Sequence, residues 1–124
     1  MPRNNGNNGP PDDPGTTPFA APLDIRFVHS LEGSYRFSER PTGGRGAQVF
    51  SGRTISISPV TIQITGPVIG EPGERVVAVF PHLGEIPGLV ARAGRTSFDV
   101  SPSLSQAERS RLAATINWLK RRHV

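Results

Sequence analysis

Cysteine is absent from all 124 residues. That excludes disulfides, thiolate metal sites and cysteine nucleophiles together, and it permits a reducing compartment. Aromatic residues are few: one Trp, one Tyr and six Phe. They are too sparse for the interleaved stacking platform of barrels that bind single-stranded nucleic acid. Lysine is nearly missing as well, since Lys120 is the only one and arginine carries the rest of the +4 formal charge. Such a small, dispersed excess favours phosphate-bearing partners in a general way, and it does not by itself make a nucleic-acid binder. Long apolar runs are also lacking; no stretch approaches the roughly 20 residues of a membrane span. The opening MPRNNGNNGPPDDPG has no apolar core of the kind a signal peptide needs. The expectation is a soluble, cytoplasmic protein.

What is present divides in two. Residues 1–22 are mostly Asn, Gly, Pro and Asp, with too little to bury to offset their ordering entropy, so a disordered tail is expected there. From residue 23 onward, short runs rich in Val, Ile, Phe and Thr alternate with Gly and Pro. Asp24 to Val28 and Tyr35 to Phe37 read as short strands. Ala47 to Ser58 reads as a longer one, with Val49, Ile55 and Ile57 expected on its buried face and a bend or bulge at Gly52. In VTIQITG (Val60 to Gly66) the residues Val60, Ile62 and Ile64 alternate with polar neighbours, a half-buried strand. Glu74 to Phe80, Glu85 to Ala93 and Thr96 to Ser101 complete the set, separated by turn residues. The last segment changes period. Ser105-x-x-Glu108 is a capping box, and Leu112, Ile116 and Leu119 form one apolar stripe on a helix over about residues 105–122. The fold class is mainly β: a small antiparallel barrel over residues 23–124, closed by one C-terminal helix.

Few residues carry chemistry. His29, His82 and His123 are far apart in sequence and lack helical metal-pair spacing, so no metal site and no cofactor is expected. No serine sits in a Gly-x-Ser-x-Gly context, and no enzyme is expected. "TGGRG" (Thr42 to Gly46) lacks the strand, lysine and helix of a P-loop and reads as a connection. "YRFSER" places Arg36 and Arg40 four apart, and strand alternation would put both on one face. They are either ordinary solvated charges or a pair of guanidinium forks. Trp118 lies about 100° off the apolar stripe beside Ala114 and Ala107, where small residues admit a close partner. It either widens the buried stripe or marks a partner face.

The runs "ISISPVTIQITGPVIGEPGERVVAVFPHLGEIPGLVAR" and "RSRLAATINWLKRR" resemble the body of a PilZ domain, the bacterial receptor module for cyclic di-GMP. The resemblance covers about residues 31–122 and lies in pattern and order. It implies a six-stranded barrel, and a ligand site made from two motifs. The first is Arg-x-x-x-Arg, whose spacing Arg36 and Arg40 satisfy; a guanidinium fork matches both the guanine edge and phosphate. In the subgroup most like this chain the pattern is Tyr-x-Leu-x-x-Arg, to which Tyr35, Phe37 and Arg40 correspond. The second motif, Asp/Asn-x-Ser-x-x-Gly, falls on Ser56, Ser58 and Thr61, and only Ser58 matches. Serine in place of the acid or amide loses a strong hydrogen bond worth roughly 1.5–3 kcal/mol, about ten- to a hundredfold in affinity. Threonine in place of glycine adds a branched side chain where backbone would approach a ligand.

Three functions follow as expectations. The first is a receptor that binds cyclic di-GMP through Arg36, Arg40, Ser56, Ser58 and Thr61. The second is a PilZ domain with degenerate motifs that works as a protein-interaction adaptor, with Trp118 and Ala114 on its partner face. The third, a barrel binding nucleic acid without specificity, is weakened by the missing aromatic platform.

Overall fold

The computed structural model describes residues 25–40 and 48–123; the tail expected over residues 1–22 and the Thr42–Gly46 connection lie outside them. Six strands, β1 (Glu32–Phe37), β2 (Val49–Ile57), β3 (Ile62–Thr65), β4 (Arg75–Phe80), β5 (Gly84–Ala93) and β6 (Ser97–Pro102), precede one helix, α1 (Gln106–Arg122). The strands form a closed antiparallel barrel in the order β1-β2-β3-β6-β5-β4. Closure satisfies the ladder hydrogen bonds of every strand and leaves no open edge.

Parity along the strands decides the core. In β1, Tyr35 and Phe37 point inward and Arg36 between them points out. Tyr35, Phe37, Phe50 and Phe98 meet with ring centroids 5.3–6.2 Å apart. Each fully buried aromatic ring stabilises the fold by about 2–3 kcal/mol. Room for Tyr35 comes from glycine: a Cβ at Gly52 would stand 2.8 Å from Tyr35 Cε1, and one at Gly66 would stand 2.4 Å from its hydroxyl oxygen. Gly52 is therefore a packing glycine and not the bend expected from the sequence.

The irregularity in β2 lies at Ile55, where the β2–β3 register shifts between Thr54 and Ser56. One extra residue reverses which side chains face inward. Gly52 and Thr54 face in before the bulge, and Ile57 faces in after it. Val49 and Ile55 are thereby exposed, against the expectation from alternation. Val60 is exposed too, because it sits in the turn beyond Pro59 and not in β3. The strand expected at Asp24 to Val28 reduces, within the described residues, to one bridge between Phe27 and Ile57. This entry segment also hydrogen-bonds β2 through the Leu31 carbonyl, which accepts from the Thr54 amide at 2.9 Å.

α1 lies across one end of the barrel, where the entry segment and the β4–β5 turn meet. Both halves of the capping box form: Ser105 Oγ accepts from the Glu108 amide at 3.1 Å, and Glu108 Oε1 accepts from the Ser105 amide at 2.9 Å. The hydrogen bond from the Ser105 backbone holds the Glu108 carboxyl below the usual carboxylate range. Leu112, Ala113, Ile116 and Leu119 are buried, and they join Ile25, Phe27, Phe80 and Ile86 in the core. No helix among the described residues is long and apolar enough to cross a membrane.

Candidate functional site

Arg36 and Arg40 do not share a face. The extended backbone of β1 ends at Phe37, and Ser38 and Glu39 turn the chain. Arg36 stays on the outer wall, where its Nη2 stands 3.5 Å from Glu85 Oε2. Arg40 comes back over the barrel mouth, and its guanidinium carbon lies 4.1 Å from the centre of the Phe37 ring.

Arg40 is also engaged, through two of its three guanidinium nitrogens. Its Nε donates to Glu74 Oε2 at 2.5 Å and its Nη2 donates to Glu74 Oε1 at 2.9 Å, a two-pronged pair. Nη2 additionally approaches the Ile69 carbonyl at 3.5 Å. Glu74 Oε1 accepts from the Glu71 amide at 3.0 Å. These bonds shift both ionisations. The hydrogen bond from Arg40 holds the Glu74 carboxyl below its usual range, and the same bond pushes the Arg40 guanidinium further up. Two parallel charge-assisted bonds over an aromatic face make a stiff clasp. It fastens the end of β1 to the β3–β4 connection. Tyr35 reinforces the same junction, since its hydroxyl donates to the Val68 carbonyl at 2.6 Å and accepts from the Val68 amide at 3.1 Å. Burial pushes the Tyr35 phenol up.

Ser56, Ser58 and Thr61 lie at the opposite end of the barrel, where α1 sits. Arg36 pairs across from Val49, and Ser56 is seven residues further along β2, about 20 Å at the rise of a β-strand. Ser58 is buried and builds the turn. Its Oγ accepts from the Thr61 amide at 3.0 Å and from the Val60 amide at 3.3 Å, and donates to the Thr61 carbonyl at 3.2 Å. A hydroxyl tied to its own loop in this way replaces strand hydrogen bonds around Pro59. Ser56 is buried beneath the entry segment, and its Oγ accepts from Arg26 Nη1 at 3.0 Å. So the five residues of the expected site do not come together: Arg36 and Arg40 stand apart from each other and from the group of Ser56, Ser58 and Thr61. The guanidinium that does reach Ser56 belongs to Arg26, which the sequence reading did not select.

The face marked by Trp118 is different. Trp118 is 37% exposed. The His82 ring meets it edge-on at 5.1 Å, and the Arg122 guanidinium lies 4.8 Å over its centre. Ala114, one turn earlier, is exposed as well. A groove of about 300 Å³ runs between α1 and the start of β5, lined by Leu83, Ile86, Leu104 and Leu112 with Glu85, Glu108 and Arg111 as its charged residues. The sequence shows His82 only as an isolated histidine, because nothing local ties it to a tryptophan 36 positions later. Its positive φ of 70° does mark the turn as constrained. No cluster of three or more metal-ligating side chains exists among the described residues.

Comparison with known proteins returns no matching family model, no matching curated protein and no matching solved structure.

Proposed function

We propose that the chain is a PilZ-type module of bacterial cyclic di-GMP signalling that works in the cytoplasm as a protein-interaction adaptor, with no dinucleotide clamp built from Arg36 and Arg40. The reading rests on the resemblance over residues 31–122, and the closed six-stranded barrel with its terminal helix agrees with it. One observation favours the adaptor over the receptor. Arg40 spends its fork on Glu74 and its face on Phe37, at the far end of the barrel from Ser56, Ser58 and Thr61. Freeing Arg40 for a ligand would break that clasp and strand the Glu74 carboxylate.

The receptor remains a second reading for one reason: Arg26 Nη1 already meets Ser56, so a guanidinium does stand beside the degenerate motif. Calorimetric titration of the full chain with cyclic di-GMP decides between them, with Arg26→Ala and Arg40→Ala as companions. The adaptor reading expects no heat in any of the three proteins. Micromolar binding lost in Arg26→Ala would replace it with the receptor reading centred on the entry segment. Binding lost in Arg40→Ala with the fold intact would restore the clamp.

A further inference from the structure

The exposed side of α1 is mostly basic. Its exposed ionisable residues are Glu108, Arg111, Lys120, Arg121 and Arg122. Glu108 is the only acid among them; its carboxylate accepts from the Ser105 amide in the helix cap, keeps its charge and lies one turn before Arg111. Glu85, which also lines the groove, stands beside Arg36 on its outer side. Among the described residues no carboxylate pairs with Arg111, Lys120, Arg121 or Arg122. Basic residues in a last turn do suit the helix dipole, and Arg111 has Glu108 three residues before it, but neither accounts for the apolar features beside them. Those features are the half-exposed Trp118, the small Ala114 and the groove floored by Leu83, Ile86, Leu104 and Leu112.

We propose that this face docks an acidic peptide segment of a partner protein, with one apolar side chain seated in the groove beside Trp118 and carboxylates meeting Arg111 and Arg122. The inference rests on the adaptor reading and gives its partner a chemistry. Carboxylates supply the missing negative charge, and an apolar anchor uses a groove that phosphate would leave empty. Arg122 is already held over the Trp118 ring, so less of its freedom is lost when a carboxylate arrives. Tryptophan and arginine side by side are the residues in which interface energy concentrates.

Trp118 is the only tryptophan in the chain, so its emission reports on this face alone. The full chain is titrated with four probes: a synthetic helical peptide with leucines at helical spacing and glutamates elsewhere, its lysine counterpart, a single-stranded oligonucleotide, and phosphatidylglycerol vesicles. The glutamate peptide is expected to give a saturable change in Trp118 emission that weakens with added salt, and the lysine peptide none. Reversing two rim charges, in the Arg111→Glu/Arg122→Glu variant, is expected to weaken binding about tenfold. Ala114→Glu, at an exposed helix position, should weaken it in the same direction and serves if the double variant folds poorly. No saturable response to the glutamate peptide overturns the proposal, as does unchanged affinity in the variants. Stronger binding of the oligonucleotide or the vesicles overturns it in favour of a phosphate-bearing partner. The two readings fail separately. Heat with cyclic di-GMP would remove the ligand-free adaptor and leave this surface standing, whereas a silent Trp118 would remove the surface and leave the adaptor.

Discussion

Replacing Arg40 by alanine should lower the stability of the barrel, although a residue reserved for ligand would be replaced at little expense. Its pair with Glu74 has two prongs, at 2.5 and 2.9 Å, a geometry worth roughly 1.5–3 kcal/mol when screened from water. The Arg40 side chain is 34% exposed and that of Glu74 17%, so solvent screening reduces this to about 1–1.5 kcal/mol. Contact with the Phe37 ring adds about 0.5 kcal/mol. The sum is about 2 kcal/mol, or about 10 °C in melting temperature for a domain of this size. Acid gives an independent check. The Glu74 carboxyl is held below its usual range by Arg40, so its contribution is complete above the ordinary glutamate value of about 4.3. It is lost as pH falls through the lower value that Glu74 has in the folded protein. Arg40, pushed further up, stays charged throughout and adds no slope. Glu74→Gln should therefore be less stable at neutral pH and flatter in its acid profile than the parent. Thermal melts followed by circular dichroism across that range, for the parent and both variants, measure all of this. An Arg40→Ala melting point within about 2 °C of the parent, with parallel acid profiles, would refute the clasp and return Arg40 to the pool of available ligand contacts.

Tyr35→Phe removes a hydroxyl that both donates to and accepts from Val68, and should cost about 1–2 kcal/mol in urea unfolding. Gly66→Ala drives a Cβ to 2.4 Å from the Tyr35 hydroxyl oxygen and should cost about 1–3 kcal/mol by overpacking. Combining it with Tyr35→Phe should give less than the sum of the two losses, which the same unfolding curves would show. Ser105→Ala deletes one half of the capping box and should cost about 1 kcal/mol with unchanged barrel chemistry. An equal melting point would show that α1 is held by its buried face alone.

Much of the fold was legible because it rests on local rules. Period two in Ile62 and Ile64 gave β3, and both side chains are fully buried. The capping box at Ser105 and the stripe of Leu112, Ile116 and Leu119 gave α1 and its buried face. Legibility failed where one residue changed parity. The bulge at Ile55 turned Val49 and Ile55 outward and put Gly52 and Thr54 inside, and alternation carries no signal for an inserted residue. The entry segment failed similarly: DIRFV has strand composition, yet among the described residues it finds only a single bridging position on β2.

The expected site shows the same division. Spacing alone made Arg36 and Arg40 a pair, but spacing presumes an unbroken strand, and the turn at Ser38 and Glu39 separates them. Arg40 and Glu74 are 34 residues apart in the chain, as Arg26 and Ser56 are 30 apart. Trp118 was visible as a residue off the stripe, but its neighbours His82 and Arg122 and the groove beside it were not.

By itself, then, the sequence determined where the six barrel strands and the helix lie and the polarity of that helix, because these follow from propensities and periods set within a few residues. It also determined the absence of thiol chemistry. Only the tertiary structure decided which charges are paired within the chain and which are not, because pairing depends on which distant strands barrel closure brings together.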